Sequence, residues 1–279
     1  MDEDAGSMKR VFDSGAGAIV TKSIGLKPRE GYPNPTVVEL EHGILNAIGL
    51  SNPGIDNFEY EIKSLKKSKI PIISSIFGSN SKDFVELAKK MESYGADAIE
   101  LNMSCPHAKG YGLEIGSDPK LVEEITSNVV KNTSIPVFVK LSPNLMDIVK
   151  IAKAAEKGNA DGVVAINTVK AMKIDLDLKM PVLANKIGGY SGGAIKPIGV
   201  RCVYDISQNV NIPIIGVGGI ENGKDALEYI MAGASAVQIG SVVYNRGIDV
   251  FKKISSEIEK WMEDNGYKKL SDLVGVAHR

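Results

Sequence analysis

Ala96-Asp97-Ala98-Ile99-Glu100-Leu101 runs directly into Asn102-Met103-Ser104-Cys105-Pro106-His107. The first six residues read as a buried strand. The second six read as the loop that leaves it. Enzymes built on parallel barrels keep their chemistry at the C-terminal ends of such strands. Cys105 therefore stands where a working side chain is expected. With only two cysteines, the chain has no disulfide framework and no cluster of its own. The alternative is that Cys105 packs as a small structural thiol.

Outward from this stretch, short apolar runs alternate with amphipathic helical patterns. That alternation is the mark of βαβ units around a parallel sheet. Strands are expected at 17–23, 72–77, 98–102, 136–141, 162–167, 213–217 and 236–239. They are short and rich in Val and Ile, as strands buried on both faces are. Helices are expected at 81–94, 119–132, 144–157, 199–209, 223–232 and 250–265. Ser117-Asp118-Pro119 reads as a helix start, with Pro in the first turn. The expected fold class is α/β, a (β/α)8 TIM barrel forming a single domain over 1–279.

The strand count falls one short of the eight that close such a barrel. Residues 2–13 read as a loop and a helix, so the helix feeding the 17–23 strand has no strand before it. The favoured expectation is that the first strand lies upstream and is absent from this chain. The alternative is that the insertion at 27–57 fills the gap. Two long connections, 28–57 and 169–197, both follow strands and should stand over the mouth of the barrel.

Composition narrows the function classes. Hydrophobic residues make up 43% of the 279 positions, enough for a large core. A formal net charge of −1 gives no bulk attraction to nucleic acid or an anionic membrane. No apolar run approaches the ~20 residues of a membrane span. The acidic opening Met1-Asp2-Glu3-Asp4 is unlike a secretory signal, so a reducing cytoplasm is expected. No spacing of metal ligands is read.

Gly216-Val217-Gly218-Gly219-Ile220 and Gly240-Ser241 follow the last two strands. In barrels these loops commonly hold phosphate, because glycine lets backbone N–H groups approach an anion. Ordinary turn glycines are the alternative. Lys22 and Lys140 each end a buried run, and two lysines at one mouth could stabilise negative charge on a reduced flavin ring. Asn46, Asn102 and Asn167, with Thr168 beside the last, offer amide and hydroxyl groups suited to a flat heterocycle. Singly, each Asn reads as a turn residue.

Together, Thr21-Lys22-Ser23, Leu45-Asn46-Ala47-Ile48-Gly49-Leu50, Leu101-Asn102-Met103-Ser104-Cys105-Pro106, Val139-Lys140-Leu141-Ser142-Pro143-Asn144, Ile166-Asn167-Thr168, Pro181-Val182-Leu183-Ala184-Asn185-Lys186 and Gly218-Gly219 resemble dihydroorotate dehydrogenase. The likeness is to class 1, on its NAD-linked branch, and runs in order over nearly the whole chain. It implies an FMN-containing barrel that oxidises dihydroorotate to orotate in pyrimidine synthesis. It implies Cys105 as the base that takes the C5 proton, with hydride passing from C6 to flavin N5. Lys22, Asn46, Gly49, Leu50, Asn102, Asn167 and Thr168 match substrate-binding positions. Lys22, Ser75, Asn102, Lys140, Gly192, Gly218, Gly219, Gly240 and Ser241 match FMN positions.

Three departures accompany the likeness. The family's first strand and its Ala-Ser-Gly run have no counterpart. His107 replaces the Asn usual after Cys-Pro and is shared with dihydropyrimidine dehydrogenase, a rival acting on uracil or thymine. Ser75 stands where the NAD-linked branch often has Asn. That branch uses a second subunit carrying FAD and an iron–sulfur cluster, where NAD would bind. A homodimer core is expected as well. Cys202, on the 199–209 helix pattern, reads as a core thiol. More distant alternatives are a flavin-free phosphate-binding barrel enzyme and a non-catalytic scaffold.

Overall fold

The computed structural model describes residues 3–104 and 113–278. Among these, seven strands form one parallel sheet in chain order: β1 (Ile19–Val20), β2 (Ile72–Ile76), β3 (Ala98–Asn102), β4 (Val137–Leu141), β5 (Gly162–Ala165), β6 (Ile214–Val217) and β7 (Ala236–Gln238). Every neighbouring pair is parallel, with a connection returning to the next strand over the outside. The strand interiors are buried on both faces, most completely in β3 and β5. That is why β5 reads as an apolar run without alternation.

A side-chain contact shows how far the sheet curls. Gln238 on β7 donates to Glu100 on β3 at 3.0 Å. Three strands lie between β3 and β7 in the sheet. At ~4.8 Å per strand a flat sheet would hold them ~19 Å apart, beyond the reach of two side chains. The sheet therefore wraps around its own interior, as a barrel does. Among the described residues, β1 and β7 are not paired with each other and form the two ends of the sheet.

The flanking helices follow local rules. Helix α1 is Ala5–Asp13, α2 Glu59–Lys67, α3 Ser81–Tyr94, α4 Pro119–Val130, α5 Ile148–Lys157, α6 Lys196–Ser207, α7 Gly223–Met231 and α8 Val250–Asp264. Asp118 caps α4 by accepting from Lys120 N at 2.8 Å, as the Ser-Asp-Pro start predicts. Helix α5 begins at Ile148, four residues after the expected 144, because Asp147 is its cap and accepts from Lys150 N at 3.0 Å. Asn144 instead turns back and donates to the carbonyl of Thr168 at 2.9 Å. Helix α6 begins at Lys196, ahead of the expected 199, with Pro197 in its first turn. Strand β1 is shorter than the expected 17–23. After Val20 its ladder breaks, and the Thr21 hydroxyl accepts from Ser75 N at 3.1 Å.

At the other end of the strands, two aspartates tie neighbours together. Asp97, just before β3, accepts from Ile72 N at 3.0 Å. Asp161, just before β5, accepts from Val137 N at 2.8 Å. Each satisfies the first donor of the preceding strand, which has no ladder partner there.

The two long connections meet each other. Val37–Leu40 and Gly43–Asn46 from the first pair with Gly188–Ser191 and Val169–Ala171 from the second in one antiparallel sheet. This cap has its own small core of Leu45, Ala47 and Leu183, separate from the main one. Gly188–Ser191, read as loop from sequence, is thus a central strand of the cap.

Candidate active site

The strand ends at the mouth carry a continuous hydrogen-bonded chain of polar side chains. Ser23 Oγ and Ser75 Oγ lie 2.8 Å apart. Asn102 Nδ2 donates to Ser23 Oγ at 2.8 Å, and Asn102 Oδ1 accepts from Ser104 Oγ at 2.9 Å. Asn167 Nδ2 donates to Ser104 Oγ at 2.8 Å. Asn167 Oδ1 takes the backbone N–H of Thr168 at 2.8 Å. The chain thus links the ends of β1, β2, β3 and β5 in an arc. Ser104 and Asn102 are buried although polar, and their mutual bonds satisfy that burial.

A charged group sits beneath this arc. Lys140 pairs in register with Asn102 across β3 and β4. Its Nζ lies 3.5 Å from Glu100 Oε1 and 3.4 Å from Gln238 Oε1. Lys22 stands just past β1, where its Nζ meets Glu3 Oε1 at 2.8 Å. The side chains of Lys22 and Lys140 are 20% and 18% exposed, so neither is sealed from solvent.

The glycine end is built by close backbone approach. Gly218 and Gly219 have φ of 128° and 66°, a region that favours glycine. A Cβ on Gly219 would sit 2.7 Å from the carbonyl oxygen of Gly192 and 2.8 Å from Lys196 N. Gly192 is therefore brought against the Gly218-Gly219 turn. Tyr229, fully buried on α7, donates its hydroxyl to Gly218 O at 2.7 Å and holds that turn from behind. Burial pushes the Tyr229 phenol well above its ordinary range, keeping it a donor. Gly240 at the end of β7 has open space above it, and Ser241 opens the short helix Val242–Arg246.

The remaining expected residues lie in the cap. Asn46 ends the strand Gly43–Asn46, and its Nδ2 donates to Gly189 O at 3.3 Å. That bond ties its side chain to the cap sheet. Gly49 and Leu50 follow in a loop at positive φ, where a Cβ on Gly49 would strike Tyr32. Cys105, Pro106 and His107 lie outside the described residues. Cys202 is fully buried on α6, and desolvation raises its thiol pKa, which fits a core thiol.

Sequence reasoning passed over Glu100, Gln238, Ser23 and Ser104 as functional residues. Glu100 had a signal. A charged residue inside an apolar strand run is rarely buried without a partner.

A family model for dihydroorotate dehydrogenase matches residues 1–262. The chain belongs to the dihydroorotate dehydrogenase family. Its curated relatives include the dihydroorotate dehydrogenase B (NAD(+)) catalytic subunit of Thermoplasma acidophilum, 55% identical over 279 residues. That alignment covers 100% of this chain and 92% of the relative. The protein of the same description from Methanocaldococcus jannaschii is 52% identical over 282 residues, again 100% and 92% of the two chains. The Pyrococcus furiosus counterpart is 52% identical over 274 residues, covering 98% and 90%.

Dihydroorotate dehydrogenases are flavin-dependent. The residues present fit such a group. A Cβ would come within 2.6 Å of Gly43 Cα at Gly192 and within 2.7 Å of Gly192 O at Gly219, whereas at Gly218 its nearest neighbours would lie at 3.3 Å. Donors and acceptors line one arc, and a lysine lies beside it. No helix among the described residues is long and apolar enough to cross a membrane.

Proposed function

We propose that this chain oxidises dihydroorotate to orotate in pyrimidine synthesis, as the catalytic subunit of an NAD-linked enzyme. One observation carries the reading. The Asn102–Ser104–Asn167 arc, Lys140 and the Gly218-Gly219 turn converge on one mouth, in a chain alike over its whole length to catalytic subunits. The sheet is then the larger part of a (β/α)8 barrel, and 1–279 is one FMN-binding domain.

Lys22, Asn46, Gly49, Leu50, Asn102, Asn167 and Thr168 hold the substrate. The amides match the alternating C=O and N–H groups of its ring. Cys105 takes the C5 proton. A free thiol titrates near ~8.5, so turnover rises with pH toward that region. Lys22, Ser75, Asn102, Lys140, Gly192, Gly218, Gly219, Gly240 and Ser241 hold FMN. Bound FMN supplies the acceptor for the hydride leaving C6. Holding both reactants in one orientation lowers the barrier mainly through proximity.

A partner subunit carrying FAD and an iron–sulfur cluster, where NAD would bind, would take up the electrons. A cluster needs about four cysteine ligands, and this chain has two cysteines in all. A homodimer forms the core of the assembly. The exposed apolar face of Met172, Ile174, Leu176, Leu178 and Met180 supports it. Lys173, Asp175, Asp177 and Lys179 alternate with those residues and sum to no net charge, which suits pairing with a second copy. We place the chain in the cytoplasm, a reducing compartment that suits two cysteines with no disulfide framework.

Anaerobic mixing of the FMN-loaded protein with dihydroorotate should bleach the flavin band. Dihydrouracil at the same concentration should leave it. The reverse result favours a dihydropyrimidine dehydrogenase. A protein that never takes up FMN favours a flavin-free phosphate-binding enzyme.

A further inference from the structure

We infer that Glu100 is the counter-charge of Lys140 and sets how strongly that lysine favours the reduced cofactor. The inference rests on the proposed FMN site and adds a positioning residue to it.

Glu100 lies in the middle of β3, and its side chain is only 2% exposed. An ionised carboxylate at such a position is costly unless it is paired and hydrogen-bonded. Here side chains from three other strands converge on it. Ser75 on β2 donates to Oε1 at 3.3 Å, Gln238 on β7 donates to Oε2 at 3.0 Å, and Lys140 on β4 brings Nζ to 3.5 Å from Oε1. Gln238 also accepts from Lys140 Nζ at 3.4 Å, so it bridges the pair from the far side. Ser75 passes the network on to Ser23 and thence to Asn102. Glu100 therefore lies directly beneath the residues that line the mouth.

This carboxylate sits against Lys140, one residue before the end of β4. Two opposite charges this close form nearly a dipole, and a dipole acts on a neighbour much more weakly than a single charge does. A lysine near a flavin stabilises the negative charge of its reduced form. Glu100 offsets that pull. Removing Glu100 should therefore make the cofactor easier to reduce, and removing Lys140 should make it harder. Removing both should nearly cancel.

The midpoint potential of bound FMN, titrated anaerobically against a reference dye, reads this without substrate. Glu100→Gln keeps the side-chain shape and should shift the equilibrium about tenfold toward the reduced form, about 30 mV for a two-electron couple. Glu100→Asp keeps the charge and should stay within about threefold of the parent, about 15 mV. Lys140→Met should shift the equilibrium about tenfold the other way. The double variant, which leaves neither charge alone, should return to within about threefold of the parent. An unchanged potential in Glu100→Gln overturns the inference. Where Glu100→Gln does not load FMN, the other pair decides. A double variant that stays at the Lys140→Met value overturns it, and one that returns upholds it. If neither Glu100 variant loads FMN, the pair is a folding element and the inference fails. Parent protein that binds no FMN would instead sink the proposed site itself, so the two failures are distinct.

Discussion

Tyr229→Phe tests whether the glycine turn is held from behind. The side chain is fully buried, and its hydroxyl donates to Gly218 O at 2.7 Å. Its ring lies so close to Gly199 and Gly216 that neither could carry a Cβ. Phe fills the same space and removes one donor. A neutral hydrogen bond contributes about 0.5–1.5 kcal/mol net, and a buried acceptor left unpaired costs about 1–3 kcal/mol. Gly218 itself is only half-buried, so water can replace part of the lost bond. About 1–1.5 kcal/mol is therefore expected. For a chain of this size that lowers Tm by about 2–6 °C. Gly218 and Gly219 also lose a fixed carbonyl orientation, so FMN affinity should fall by several-fold. Thermal unfolding and an FMN titration followed by flavin fluorescence read the two effects. A Tm and an FMN affinity both equal to the parent's would refute the reasoning. They would show that backbone packing alone fixes the turn.

Asp161→Ala removes the acceptor of Val137 N at the start of β4 and should cost about 1–2 kcal/mol in urea unfolding, with FMN binding retained. Stability should fall in alkali. Burial raises the Cys202 thiol and the Tyr229 phenol above their ordinary ranges. The unfolded chain releases these protons first, so stability is full below about pH 9 and declines as pH rises through that point. Urea midpoints across that range check the sign, and Cys202→Ala should delay the onset. Replacing Leu176 and Leu178 with Asp should convert a two-chain particle into one chain by light scattering, without changing the far-UV spectrum. A parent that is already one chain in solution would contradict the proposed core.

Much of the barrel is legible in the sequence because its strands are buried on both faces. The run Gly162–Ala165 is apolar throughout and has no alternation to confuse with an exposed edge. Helix α3 is legible to the residue, since Asn80 caps it and Gly95 ends it in a left-handed turn. Strand β1 is overread, because Thr21 and Lys22 look strand-like while the ladder has already broken at Val20. The cap was hidden for a different reason. Asn46 pairs with Gly189 across 143 residues, and a glycine-rich run gives no local sign of strand. At the site, residue types at strand ends were readable one by one. Their bonding was not, because Ser104 bridges Asn102 to Asn167 only once β3 and β5 are curled toward one mouth. Glu100 was in plain view inside its strand run. Its partners Lys140 and Gln238 come from strands that only the closed geometry brings near.

The most direct test of the account is rapid anaerobic mixing of FMN-loaded protein with dihydroorotate, parent against Cys105→Ser. The account predicts fast flavin bleaching in the parent that quickens as pH rises. In the variant, bleaching should be slower by about 10²–10⁴, with an unchanged FMN spectrum before mixing. Bleaching at the parent's rate in the variant would contradict it, because the proton would then leave without the thiol.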